Sequence, residues 1–148
     1  MPIPSPDISA LLSTGHPTAI DAAHSMLMDH SDDAKVACAY DLAIRRPPGA
    51  GRLVVRLYND MRSPSHRAAL LGAMGTLGDS DAEACMFDAL RHGSDTEAIA
   101  VIDRLAGYER RAGWHHDLRA AAKQRGDAAL TARMEARITK AKERDEMR

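Results

Sequence analysis

Aromatic residues are nearly missing from this chain: one Trp, one Phe and three Tyr make up 3% of it. Pleated sheets draw on aromatic and β-branched side chains, so this scarcity, beside plentiful Ala, Leu and Met, argues for helix over strand. It also removes the platforms on which proteins stack single-stranded nucleic acid. Cysteine is equally thin. Two residues, Cys38 and Cys85, do not build a disulfide framework, and a buried free thiol at Cys38 implies a reducing, cytosolic compartment. No apolar run approaches the roughly 20 residues that span a bilayer. The segment Met1-Pro2-Ile3-Pro4-Ser5-Pro6 has neither the basic n-region nor the apolar h-region of a signal peptide. Formal net charge is only −1, which leaves no global basic field to hold nucleic acid.

What the chain does have is an internal repeat. Segments beginning at Ser31, Ser63 and Ser94 align, spaced 32 and 31 residues apart. A fixed period of this size marks stacked supersecondary units, which build binding surfaces. Six columns are apolar in all three copies: Val36/Ala68/Ile99, Ala37/Ala69/Ala100, Cys38/Leu70/Val101, Ala39/Leu71/Ile102, Leu42/Met74/Leu105 and Ala43/Gly75/Ala106. At about 100° per residue they cover most of a helix circumference, so each such helix has neighbours on more than one side. Three columns vary: Lys35/Arg67/Ala98, Tyr40/Gly72/Asp103 and Asp41/Ala73/Arg104. These are expected to form the solvent strip.

Capping signals divide the chain into helices. Ser5-Pro6 and Ser63-Pro64 each place a serine N-cap before a first-turn proline. Ser80-x-x-Glu83 and Ser94-x-x-Glu97 read as capping boxes, and His16-Pro17 and Asp127 mark further starts. Gly15, Pro47-Pro48-Gly49, Gly78, Gly93, Gly107 and Gly126 mark stops. Nine helices follow, over about 5–14, 17–30, 33–45, 51–62, 64–77, 81–92, 95–106, 109–125 and 127–145. The expectation is one all-α domain spanning 1–148, a short α-solenoid of antiparallel helix pairs. Residues 5–30 form an atypical first pair, 31–62, 63–93 and 94–126 are repeats, and 127–148 is a capping helix. The stripe Leu130, Met134, Ile138 and Ala141 fits that cap; a partner-binding helix is the alternative.

With its serine starts, the basic Lys35 and Arg67, and the run Arg67-Ala68-Ala69-Leu70-Leu71-Gly72-Ala73-Met74-Gly75-Thr76-Leu77-Gly78-Asp79, the chain resembles the HEAT-like repeat family in its shorter variety. The resemblance covers residues 31–126. It implies that the second helix of each pair lines the binding face.

Catalytic signatures are weak. Gly72-x-x-Gly75-x-x-Gly78 lacks the preceding strand a phosphate loop needs and reads as close packing. His115 and His116 are adjacent and diverge by about 100° on a helix, which does not suit chelation. No metal or cofactor is expected, and a non-enzymatic protein-binding module is the leading reading, a small cytoplasmic adaptor or inhibitor of another protein. Its candidate partner-binding residues are Arg52, Arg56, Asn59 and Asp60, then Asp88, Arg91 and His92, then His115, His116 and Arg119. Trp114 closes the core or, if exposed, anchors a partner. The alternative is a nucleic-acid-binding HEAT-like protein with a basic concave face, on the strength of two basic groups, Arg45-Arg46…Arg52 with Arg56, and Arg110-Arg111 with Arg119, Lys123 and Arg125. Charge is also polarised along the chain. Residues 1–44 set one lysine against six aspartates, a net of −5, while 117–148 set nine Lys/Arg against six Asp/Glu, a net of +3. These are solvated ends or a steering device for a partner of matching asymmetry.

Overall fold

A computed structural model describes residues 4–148, so Met1–Ile3 of the N-terminal segment lie outside the described residues. Among the described residues there are nine helices and no strand: α1 (Ser5–Ser13), α2 (Ala19–Leu27), α3 (Asp32–Arg45), α4 (Ala50–Asp60), α5 (Pro64–Leu77), α6 (Ser80–His92), α7 (Asp95–Leu105), α8 (Trp114–Arg125) and α9 (Ala128–Glu146). Odd-numbered helices form one layer, in which α3 packs on α1 and α5, α5 on α7, and α7 on α9. Even-numbered helices form the other, running α2, α4, α6, α8. The fold is therefore an all-α, solenoid-like array of helix pairs. One core runs through it, from Ile8 to Ile138.

The helix starts obey capping chemistry, with instructive shifts. Ser31 and Asp127 accept from Ala34 and Leu130 as N-caps, and Ser94 with Glu97 closes a full capping box. Ser80 does not cap α6. Asp79 does, one residue earlier, because its carboxylate reaches the Ala82 amide at 2.8 Å. Ser5 falls inside α1, buried, with Pro4 at the cap, and Ser63 stands at its cap but meets the Ser65 hydroxyl rather than a first-turn amide. α8 starts at Trp114, after a loop rather than at 109, since Gly113 takes a left-handed conformation there.

Burial corrects the column reading. The last four apolar columns are buried, as expected of an interior stripe, but Val36/Ala68/Ile99 and Ala37/Ala69/Ala100 are half-buried. The variable columns are not one solvent strip. Asp41, Asp103 and Arg104 are exposed, whereas Gly72, Ala73 and Ala98 are buried. The reason is position in the array: α5 touches α3, α4, α6 and α7, so its outward residues are crowded where those of an end helix are not.

Glu97 is the one buried carboxylate among the described residues, 4% exposed. Tyr58 Oη donates to it at 2.7 Å, Arg67 Nε at 2.5 Å and the Ser94 amide at 2.6 Å. Arg67 lies 3.9 Å from the centre of the Tyr58 ring and donates to the carbonyls of Tyr58 and Met61. The group thus ties the C-terminus of α4 and the start of α5 to the start of α7. Burial alone would raise the acid's pKa; the hydrogen bonds from Arg67, Tyr58 and Ser94 outweigh it and bring Glu97 down to about 2.

Removing one member of such a pair strands the other, so Glu97→Ala should cost about 3–5 kcal/mol in urea unfolding. A loss near that of an exposed ion pair, about 0.5 kcal/mol, would refute the clamp. The folded-state pKa lies below the ordinary carboxylate value. The stability from Glu97 is therefore complete above that value and drains away as pH falls toward about 2. Glu97→Gln should flatten that acid limb.

Candidate functional site

The even layer presents the expected partner residues on its outer side at helical spacing. On α4, Arg52, Arg56 and Asn59 recur at i, i+4 and i+7, with Asp60 beside them; on α6, Ala84, Asp88 and Arg91 do the same, followed by His92; on α8, His116, Arg119 and Lys123 continue the pattern. All of these are exposed except Arg91, which is half-buried. His115 does not join them: it is buried at 7% exposure, next to Trp114 at 1%. Trp114 closes the core, donating to the Leu105 carbonyl at 2.9 Å and meeting Phe87 edge to face at 5.3 Å.

Most of the exposed charges bridge successive helices. Arg56 pairs with Asp21 of α2, His24 of α2 with Asp60 at 2.5 Å, Arg52 with Asp81 of α6 at 3.5 Å, and Arg119 bidentately with Glu135 of α9. The Arg119 guanidinium holds Glu135 below the usual carboxylate value. The two basic groups noted in the sequence are thus distributed differently. Arg52 and Arg56 sit among acids on this face, so it is mixed in sign rather than basic.

Between α6 and α8 the face opens into a groove of about 420 Å³. Ala84, Phe87 and Ala120 give it an apolar part, and Ser80, Glu83, Arg91, Arg111 and Asp117 line the rest, with charges of both signs. Arg111 closes one side by bonding Glu83 and Asp117, each at 2.8 Å. Arg91 also borders a second, more polar hollow of about 540 Å³ with His92, Asp95 and Arg125 at the end of α6. The sequence reading missed Phe87, and it placed Arg111 in a basic group for nucleic acid rather than among the partner-binding residues. The single Phe placed four residues before Arg91 was an available signal; Arg111 was assigned to a helix that starts later.

No group of three or more metal-ligating side chains is clustered among the described residues. Burial, then the neighbouring Asp88, pushes the Cys85 thiol up to about 11, and burial also raises Cys38. Both are neutral near pH 7. No family model matches the chain, and no curated protein or solved structure matches it either.

Exposed ion pairs hold little folding energy, which leaves their charges free to re-pair with a ligand. Arg52→Ala and Arg119→Ala should therefore each change unfolding free energy by less than about 1 kcal/mol. Losses of several kcal/mol in thermal melts would make these side chains structural.

Proposed function

We propose that the chain is a non-enzymatic protein-binding module of the HEAT-like kind, working in a reducing cytoplasmic compartment as a small adaptor or inhibitor. The observation that carries this is the α6–α8 groove, apolar in part and lined elsewhere with charges of both signs, set within a continuous even-layer face. Apolar contact there supplies affinity, while alternating charges orient the partner and speed encounter. The free thiols Cys38 and Cys85 support the compartment. The length of the described helices agrees with a water-exposed array, since none is long and apolar enough to cross a membrane.

The face supports a protein partner before a nucleic acid. Duplex binding needs several cations on one side with little acid between them, and here Arg52 and Arg56 stand against Asp81 and Asp21.

The test is capture from the native host by a cross-linkable form of the chain, followed by mass spectrometry. A discrete protein should be recovered, lost with Asp88→Lys plus Arg91→Glu, and kept with Thr96→Lys on the odd layer. Undiminished recovery by the double variant, with unchanged melting, would sink the even-layer reading. A salt-dependent shift of labelled duplex, abolished by Arg52→Ala plus Arg56→Ala, would replace it with nucleic-acid binding.

A further inference from the structure

On the opposite layer, four side chains from three segments converge on the last turns of α5. Arg46, just after α3, donates to the Thr76 carbonyl at 2.7 Å, and Arg110, from the loop after α7, donates to the Gly75 carbonyl at 2.8 Å. Those carbonyls are consecutive, so both guanidinium groups meet the same turn of α5. Arg104 of α7 lies across Gly75: a Cβ there would meet its Cβ, Cγ and Cδ at 3.4 Å. Its Nη2 reaches to 3.4 Å from the place where a Cβ of Gly72 would stand, a place the Tyr40 hydroxyl also crowds. We propose that this end of α5 is an oxyanion site made by Tyr40, Arg46, Arg104 and Arg110.

Helix capping explains part of this cluster and leaves the rest. Arg46 and Arg110 satisfy carbonyls that the helix end leaves open, yet each guanidinium has five N–H donors and uses one here. Tyr40 and Arg104 take part in no hydrogen bond or ion pair among the described residues, and Arg46 and Arg110 form no ion pair. Of the nearby acids, Glu83 pairs with Arg111 and Asp103 with Arg133 and Arg137, while Asp79, just after α5, caps α6. Burial, and then the charge of Arg104, push Arg110 below its ordinary value, with Glu83 acting the other way. Among the described residues no acid forms an ion pair with Arg46, Arg104 or Arg110, and only the charge of Glu83 offsets part of that on Arg110.

Two backbone observations agree. Arg46 is the one non-glycine residue with positive φ among the described residues, at φ 53° and ψ 48°. Glycine is the usual occupant of that helix-ending position, so the arginine is kept there against its conformational preference. Gly72 and Gly75, read in the sequence as packing residues, clear the floor on which Tyr40 and Arg104 meet. Their amides are engaged within the helix, so the side chains, not a phosphate loop, would bind the anion. Guanidinium forks beside a phenol hydroxyl match a tetrahedral oxyanion in several directions at once, and a dianion best offsets three cations. The α5 dipole opposes an anion at this end; Arg46 and Arg110, bonded to its carbonyls, counter it.

The test is a titration of the isotopically labelled full chain with inorganic phosphate and with phenyl phosphate, against sodium chloride at matched ionic strength. Saturable shifts are expected at the Gly72 and Gly75 amides and the Arg46, Arg104 and Arg110 Nε–H groups. Tighter binding of inorganic phosphate marks a free-ion site; tighter binding of phenyl phosphate marks a phosphate ester. Arg104→Gln and Tyr40→Phe should each weaken binding about tenfold with melting unchanged, and Arg104→Lys should fall between. Shifts that do not saturate, an equal response to chloride, or variants that bind like the parent would overturn the site. So would shifts that duplex DNA produces and neither phosphate probe does.

Discussion

A carboxylate removed from water must be met by donors, and Glu97 is met by three from three directions. This constraint fixes much of the array. Arg67 can reach Glu97 only if α5 starts beside the end of α4, and Tyr58 can reach it only if α4 lies against the start of α7. Ser94 completes the acid's coordination while Glu97 completes the α7 cap. Replacing all of these groups by well-packed apolar residues could be as stable. What the ionic version adds is discrimination: a slipped register leaves a charge buried and alone.

The same residue type solves a recurrent problem elsewhere. Every helix ends in carbonyls without amide partners, and in this protein arginines from neighbouring segments often meet them. Arg67 binds the end of α4, Arg46 and Arg110 the end of α5, Arg125 the end of α6 through the Leu90 and Gly93 carbonyls, and Arg144 the Gly107 carbonyl after α7. A cation at a helix C-terminus also faces the negative end of its dipole. Arg67 and Arg125 repeat one arrangement closely, each pairing an acid from the start of α7 while its Nη1 bridges two carbonyls. Neither stands at an equivalent repeat position, so the likeness is one of chemistry rather than alignment.

Local signals were legible in the sequence: the nine helices among the described residues, the caps at Ser31, Ser94 and Asp127, and the buried stripe of the last helix, all of which depend on neighbours within a few residues. What depended on the third dimension was not. The burial of Gly72, Ala73 and Ala98 follows from having helices on several sides. Asp79 displaced Ser80 as a cap by reaching one amide, a matter of ångströms. For the candidate face, spacing placed the α4 and α6 residues correctly, but His115 turned inward with Trp114 because α8 begins after a loop. The groove at Phe87, and the convergence of Arg46 and Arg110 on one turn of α5, join segments far apart in the chain, which no local pattern encodes.

Helical arrays are usually treated as nearly one-dimensional, each unit answering to its neighbours and free to be copied or dropped. The Tyr58–Arg67–Glu97 group complicates that picture, because its members come from the end of the first repeat, the start of the second and the start of the third. Excising the middle repeat would remove Arg67 and leave Glu97 facing a boundary built for another residue; duplicating it would supply a second arginine with no acid. Lineages that lengthen or shorten by whole units would thus meet resistance at this point.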